Sequence, residues 1–328
     1  MPVMSGQDAQ AVATAARLLA DGQLVALPTE TVYGLGARAD DDAAVARIYA
    51  AKERPADHPL IVHVADADSA AAFCADPGPV ARALMARFWP GPLTLILPRR
   101  AGVANAAAGG QDSIGLRCPA HPVAQALLRA AARLNVVGIA APSANRFGRV
   151  SPTCAEHVAS EFGPGLWVLD GGWCDVGVES TIVDCTRMPA ALLRPGGVSR
   201  DRIEAALGAP LATPDAQRPR ASGTLPSHYA PRARVRLFRD AEAITAAIAA
   251  EGAATSLHTV AVYSRSLSAV PGAGVLRSMP VDPEAAAHEL FAVLRELDAA
   301  GVAEIWVEHP PADVAWEAVT DRLRRAAA

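Results

Sequence analysis

Apolar residues recur along this chain with two different periods. Within residues 8–21, Val12, Ala15, Ala16, Leu18 and Leu19 fall on one helical stripe and Gly22 follows as a natural stop, which predicts an amphipathic helix. The short apolar run 24–27 predicts a strand, ended where Pro28-Thr29-Glu30-Thr31 substitutes small hydroxyls and a carboxylate. Further runs predict strands at 60–64, 93–97, 114–118, 137–141, 166–169 and 181–184, with helical patterns at 42–51, 80–88, 122–134 and 153–162. Strands and helices intermixed in this way predict a mixed α/β domain.

Near Gly208 the periodicity fades, and up to about Arg232 the chain is rich in Pro, Ala and polar residues, the composition of a linker. Residues 1–208 are therefore predicted as a first domain, 209–232 as a linker and 233–328 as a second, smaller domain. In the last, strands at 235–238, 260–263 and 304–307 alternate with helices at 240–251, 283–300 and 313–325. That order predicts a small open, Rossmann-like α/β sheet with parallel pairings. Two domains also suit 328 residues, at roughly 100–200 residues per domain.

Composition narrows the function classes. Apolar residues make up 51% but aromatics only 5%, so the core is predicted to be aliphatic and stacking platforms for nucleic acid are scarce. A net charge of −4 with both signs interspersed gives no global field for a phosphate backbone, so any phosphate site must be local. No apolar stretch of ~18 residues and no leader pattern is visible, which makes the cytoplasm the expected location and a membrane an unexpected partner. The five cysteines, Cys74, Cys118, Cys154, Cys174 and Cys185, are odd in number, far apart and without a CxxC pair, which argues against a disulfide framework or zinc knuckle. There is no Walker A loop, GxGxxG, HExxH or GxSxG, so a hydrolase triad is not expected. His121, His157 and His288 read as surface or satisfied side chains.

Four polar clusters stand out against this background. Residues 28–36 end a strand in polar groups and continue into two glycines, Gly34 and Gly36, which suit either an ordinary turn or close approach of backbone to a ligand. Lys52, Arg54 and His58 sit between a helix and a strand in a loop stiffened by Pro55 and Pro59. Cations favour helix C-termini in any case, but a fixed Arg fork beside a Lys point charge also suits a polyphosphate. Ser143 and Asn145 follow an apolar strand directly, where open α/β sheets bind ligands, although both could equally cap the loop. The fourth cluster runs from Gly177 through Glu179, Ser180 and Thr181 and resumes at Arg194-Pro195-Gly196. Arg117 on a predicted strand needs an anion, from the protein or from a substrate.

The segments PTETVYGLG, KxRP followed by HPLIVHV, WPGPLTLIL, SIGLRCP, APSAN, ESTIVD and LLRPG, in this order over about residues 10–207, closely resemble the YrdC-like threonylcarbamoyl-AMP synthases. Residues 222–231, SGTLPSHYAP, and the α/β segment after them resemble the long, two-domain form of that family. The resemblance implies a YrdC-like mixed twisted-sheet catalytic domain and synthesis of L-threonylcarbamoyl-AMP and pyrophosphate from L-threonine, bicarbonate or CO2, and ATP. Other proteins, tRNA threonylcarbamoyl transferases, would then pass the group to tRNA.

By the same resemblance Lys52, Arg54, Ser143, Asn145 and Arg194 contact ATP, with Ser113 and Ser151 nearby. Lys52 and Arg54 carry the catalytic work, and Mg2+ accompanies ATP with ligands left undefined. Thr31, His63, Arg117 and Thr181 hold threonine. The linker would cross the site, so that His228 and Tyr229 cover the nucleotide. His58 departs from the family pattern, where Asn is frequent; both side chains can hydrogen-bond phosphate.

The chemistry fits these residue types. A carbamate formed from threonine's amine is already anionic, so the protein need only align it with the α-phosphorus of ATP and neutralise phosphate charge. Hydrogen-bonding groups for the threonine hydroxyl would reject valine. Two competing readings are a YrdC-like module that binds double-stranded RNA or tRNA without synthase activity, and carbamoyl transfer in metallocofactor maturation. Acidity and few aromatics weigh against the first. The lack of acylphosphatase-like and zinc-finger segments weighs against the second.

Overall fold

The computed structural model describes residues 2–251, 259–270 and 274–328. They divide into two compact units, one made of Met1–Phe147 and Ser151–Thr224, the other of Gly148–Val150 and Leu225–Ala328.

In the first unit the strands are β1 (Val3–Ser5), β2 (Val25–Leu27), β3 (Gly34–Arg38), β4 (Ile61–His63), β5 (Leu93–Pro98), β6 (Ser113–Arg117), β7 (Ile139–Ala140), β8 (Trp167–Asp170), β9 (Thr181–Asp184) and β10 (Ala191–Arg194). They form a single sheet in the order β1-β8-β2-β3-β7-β4-β6-β5-β9-β10. Parallel pairs β1/β8, β2/β8, β4/β6 and β5/β9 are interleaved with antiparallel ones. Around the sheet lie α1 (Ala9–Ala20), α2 (Asp42–Lys52), α3 (Gly78–Phe88), α4 (Pro122–Ala132), α5 (Ala155–Glu161) and α6 (Arg200–Leu207).

Local chemistry sets the helix ends. Asp8 accepts from the Gln10 amide at the start of α1, and Asp41 accepts from the Ala43 and Ala44 amides at the start of α2, each satisfying donors that a helix leaves unpaired. At its far end α2 closes on Glu53 in the left-handed region, φ 55°, which turns the chain sharply between Lys52 and Arg54.

Both sheet faces are buried, and alternate residues of one strand divide between two cores. Val25 and Leu27 pack with Val12, Ala15, Leu19, Leu127 and Leu128 of α1 and α4, whereas Ala26 faces Val45, Ile48, Leu84 and Phe88 of α2 and α3. A smaller patch of Ile61, Ile96, Ile182 and Leu193 forms a separate cluster. Ile61 lies two residues from His63, so the two share a face.

The predicted elements are present, with ends trimmed, extended or shifted by up to about four residues. Gly34 and Gly36, which suited either an ordinary turn or close approach of backbone to a ligand, lie in strand β3, antiparallel to β2 and β7. Gly36 is there for room: a Cβ would lie 2.9 Å from both Ile139 Cγ2 and Leu27 Cδ2. The short β1, β10 and α6 were not predicted. Residues 191–194 and 200–207 are too short to show a clear period.

In the second unit β11 (Arg234–Phe238), β12 (Val260–Ser264), β13 (Val275–Ser278) and β14 (Glu304–Glu308) form a fully parallel sheet, β11-β14-β12-β13. The parallel pairings match the expectation, and the added strand β13 is a half-buried end strand with weak alternation. Helices α7 (Ala241–Glu251), α8 (Pro283–Ala299) and α9 (Glu317–Ala326) accompany it. Ile244, Val260, Val262 and Trp306 form a core of their own.

The units divide the chain differently from the compositional boundaries 1–208, 209–232 and 233–328. Much of the segment read as linker is bonded into the first unit: Leu192 and Ala212 pair through backbone, Arg187 holds Asp215 at 2.8 Å, and the Arg220 amide donates to Gln111. Side-chain anchors of this kind leave no periodic trace.

Candidate active site

The loop after α2 is built from cation-to-carbonyl bonds. Lys52 is 1% exposed, and its ammonium donates to the carbonyls of Ser143, at 2.6 Å, and Asn145. The Phe147 amide returns a bond to the Lys52 carbonyl at 3.0 Å. Lys52 thus ties the end of α2 to the segment after β7. Burial and the nearby Arg54 charge push its pKa well below the ordinary lysine value. Arg54 donates from Nη2 to the Pro59 carbonyl at 3.0 Å and from Nε to that of His58 at 3.4 Å. Its guanidinium lies 5.6 Å from the Phe147 ring centre, and the His58 ring 5.4 Å from the same ring. Burial and Arg54 hold His58 below the usual imidazole pKa.

The 143–145 segment is zipped to the start of β3. Gly34 pairs with Ser143, the Leu35 amide donates to Pro142, and the Ala144 amide to Tyr33. Asn145 is buried, with its side-chain amide on the Arg146 carbonyl at 2.7 Å.

A second group gathers around Arg117, the last residue of β6, which pairs in register with His63 at the end of β4. Arg117 is 3% exposed. Its Nη2 meets Glu30 at 2.7 Å, its Nη1 donates to the Thr31 hydroxyl at 2.8 Å, and its Nε to the Gly91 carbonyl at 3.2 Å. Glu30 also accepts from the Ala120 amide at 3.1 Å. The anion that Arg117 required is therefore supplied by the protein itself. His63 is buried, and its Nδ1 has no hydrogen-bond partner among the described residues. Burial first, then the Arg117 charge, push its pKa down to about 3, so the imidazole is neutral at physiological pH.

The third group frames β9. Ser151 donates to Glu179 at 2.5 Å, and Ser180 shares a hydrogen bond with Thr94 at 2.7 Å. The Thr181 hydroxyl donates to the Val198 carbonyl at 2.5 Å and accepts from the Val198 amide at 2.9 Å. Arg194, 2% exposed, donates from Nε and Nη2 to the Ser180 carbonyl and from Nη1 to that of Ser222 at 2.9 Å. Gly196 permits this: a Cβ would fall 2.3 Å from the Glu179 carbonyl oxygen.

The residues named from sequence separate along the strands. Ser113 begins β6 and Arg117 ends it, four strand steps or about 13 Å apart. Ser143 follows β7, whose neighbour Ala141 donates to Ile61 at the start of β4. Arg54, Ser113 and Ser143 therefore belong to the amino-terminal end of β4 and β6, and His63 and Arg117 to the carboxyl-terminal end. Tyr229 lies in the second unit, its ring 5.4 Å from that of Phe291 and under the Arg322 guanidinium at 5.2 Å.

Sequence reading missed Glu30, Glu179, Ser180 and Gly91 as partners of the named residues. Glu30 was visible as a lone carboxylate at a strand end with a buried Arg on another strand. Gly91 contributes only its carbonyl and has no side-chain signal. All five cysteines are free thiols. Burial raises the pKa of Cys118 and Cys154 to about 11 and of Cys185 to about 12, which leaves them without thiolate character. Among the described residues no helix is long and apolar enough to cross a membrane.

An open mixed sheet edged by buried cations, hydroxyls and small-residue turns, followed in the chain by a small parallel unit, defines a two-unit α/β protein. The Sua5/YciO/YrdC family model, described as telomere recombination, matches residues 17–196, and the model for the C-terminal domain of threonylcarbamoyl-AMP synthase matches 198–328. The threonylcarbamoyl-AMP synthase of Pyrococcus abyssi is 39% identical over 95% of this chain and 92% of its own length. That of Bacillus subtilis is 44% identical over 70% and 67%. The crystal structure of P. abyssi Sua5 complexed with L-threonine superposes with a TM-score of 0.87, at 37% identity, over 98% of this chain and 95% of the other. The chain belongs to the threonylcarbamoyl-AMP synthase family, in its two-domain form.

Proposed function

We infer that the protein is an L-threonylcarbamoyladenylate synthase, a nucleotidyltransferase that makes threonylcarbamoyl-AMP and pyrophosphate from L-threonine, bicarbonate or CO2, and ATP, for the t6A modification of tRNA. The observation that carries this is the grouping of Arg117, Thr31 and His63 in a chain alike over both units to a protein crystallised with L-threonine.

We propose the division of labour that follows. Threonine lies at the carboxyl-terminal end of β4 and β6. Arg117, already balanced by Glu30, keeps donors for a carboxylate, and the open Nδ1 of a neutral His63 accepts from the amine or hydroxyl. Thr31 and Thr181 act differently. Their hydroxyls are engaged by Arg117 and Val198, so they shape the pocket before they touch substrate. The nucleotide runs from the other end, along Arg54, His58, Ser113, Ser143 and Asn145, toward Ser151 and Arg194, which lie by the start of β9 near the threonine end.

Lys52 can offer the phosphates one of its three N–H donors, because two go to loop carbonyls. Its main work is to hold the 143–145 segment in place. The carbamate oxygen attacks the α-phosphorus and pyrophosphate departs, with no protein nucleophile required. Tyr229 as a nucleotide contact rests on the family resemblance alone.

Magnesium is proposed to enter with ATP. Among the described residues no group of three or more His, Cys, Asp or Glu is placed to hold a metal, and Glu30 and Glu179 are engaged by Arg117 and Ser151. Mg2+ held by phosphates and water fits such a donor set. The proposed setting is the cytoplasm, with a tRNA threonylcarbamoyl transferase as the next protein to use the product and tRNA as an accessory contact.

Mass spectrometry of a mixture of protein, ATP, magnesium, bicarbonate and threonine is expected to show threonylcarbamoyl-AMP, with far less product from serine or valine. A folded protein giving no product, or equal product from valine, would overturn the assignment. Salt-sensitive RNA binding without threonine-dependent turnover would favour the RNA-binding reading.

A further inference from the structure

Strand β6 carries both ends of the proposed reaction on one face. Ser113, Gly115 and Arg117 alternate along it with Ile114 and Leu116. The latter two are buried in the core that holds Val45, Ile48, Leu84 and Met85 of α2 and α3, so the other three point to the opposite side of the sheet. On that side β4 sets Ile61 beside Gly115 and His63 beside Arg117, and β5 sets Ile96 beside Gly115. Ile61 and Ile96 join Ile182 and Leu193 in the small apolar patch. Gly115 is thus the middle of the face, two strand steps or about 7 Å from Ser113 at one end and from Arg117 at the other.

A glycine inside a strand weakens it, having no side chain to pack and more freedom to lose on folding, and so calls for a local reason. Backbone conformation does not supply one, because Gly115 lies within a regular strand and without positive φ. Nor does crowding by the fold. A Cβ would stand 3.3 Å from Ile96 Cδ1, the free end of a flexible side chain, 3.5 Å from Thr94 Cγ2 and 3.6 Å from Ile61 Cγ1. Gly36 is the contrast in the same sheet, where a Cβ would lie 2.9 Å from two side chains and 3.1 Å from the Val25 carbonyl oxygen. What remains for a bare strand position is close approach of a ligand.

We propose that Gly115 is a positioning residue for the synthase reaction: its bare backbone lets the carbamate and the α-phosphate settle between Ile61 and Ile96 at the depth where they meet in line. This rests on the proposed placing of threonine at Arg117 and of the nucleotide at Ser113. The carbamate oxygen bonds to the α-phosphorus as the bond from that phosphorus to the bridging oxygen of pyrophosphate breaks, and the departing oxygen takes the electron pair. Each reactant can hold to its own end of β6 without filling the midpoint, whereas the attack has to occur there. Alignment of this kind is lost on displacement by about 1 Å, and a side chain at position 115 lifts the reacting groups by at least a carbon–carbon bond.

The test compares the full unmodified chain with Gly115→Ala and Gly115→Val. Affinities for ATP and for threonine are measured one at a time by titration calorimetry, beside kcat, KM and melting temperature. Gly115→Val is expected to melt no lower than the unmodified chain, because a β-branched residue favours a strand. It is expected to hold each ligand within about threefold and to lose about a hundredfold in kcat, and Gly115→Ala, the smaller step, to lose about threefold. A Gly115→Val kcat close to that of the unmodified chain overturns the proposal. If Gly115→Val melts early, Gly115→Ala decides: full kcat in a stable variant overturns the proposal, and reduced kcat with both affinities kept supports it. An unmodified chain that binds both ligands but makes no product sinks the activity assignment, whereas equal product from the unmodified chain and Gly115→Val sinks this proposal alone.

Discussion

A cation in a dry interior persists only where acceptors surround it, and Lys52 and Arg117 meet that condition in different ways. Lys52 uses backbone carbonyls, so Lys52→Ala removes a support of the 143–145 segment as well as a charge. The variant is expected to lose about 2–4 kcal/mol in denaturant titration together with most of its turnover; full stability with lost turnover would assign the ammonium to phosphate alone. Arg117 uses a carboxylate. Beside it, His63 stays neutral because its folded pKa of about 3 lies below its ordinary 6.5. Between those values the unfolded chain binds the proton and the folded chain does not. The stability contributed is therefore complete above pH 6.5 and declines as pH falls toward 3. Between pH 6.5 and 5 the protein is expected to lose ~2 kcal/mol more than His63→Gln, read from urea midpoints at the two pH values. Equal losses would mean that His63 is not buried as an unprotonated ring. The identities of these residues were legible in the sequence, but their partners were not. Glu30 lies far from Arg117 in the chain, and Gly91 acts through a carbonyl that every residue possesses.

Short elements carry the site, and their spacing depends on glycine. Gly196 follows Arg194 and Pro195 at the end of β10, where a Cβ would stand 2.3 Å from the Glu179 oxygen and 2.6 Å from the Thr181 nitrogen. Backbone on that side cannot rotate away as a side chain would. Gly196→Ala is expected to destabilise by at least about 1–3 kcal/mol and to displace Ser180 and Thr181, lowering turnover. Gly208, which caps α6 at φ 65° with no neighbour within 4 Å, serves as the contrast. Gly208→Ala is expected to cost about 1 kcal/mol with turnover kept, as thermal melts and product assays will show. Element type was readable wherever a helix ran three turns or a strand was wholly apolar. It failed at β3, whose Gly34-Leu35-Gly36 reads as a turn until β2 and β7 are seen to flank it.

At the scale of the whole molecule, each unit has its own apolar core, so the first is expected to hold together without the second. A chain ended at Thr224 is expected to melt cooperatively but to turn over slowly, because it lacks His228 and Tyr229, which the family resemblance places over the nucleotide; differential scanning calorimetry and the product assay check both halves. Activity equal to that of the full chain would show that His228 and Tyr229 are not needed for turnover. The sequence by itself determined the class of each domain, because period-2 and period-3.6 patterns register which side of an element is buried. It also determined the family, because seven short motifs in fixed order constrain one another as no single motif does. Tertiary structure alone decided where the boundary lies, which carboxylate balances Arg117, and that Gly148–Val150 belong to the second unit. Those outcomes depend on hydrogen bonds and ion pairs between positions far apart in the chain, many made by backbone carbonyls, and such contacts leave no periodicity or composition to read.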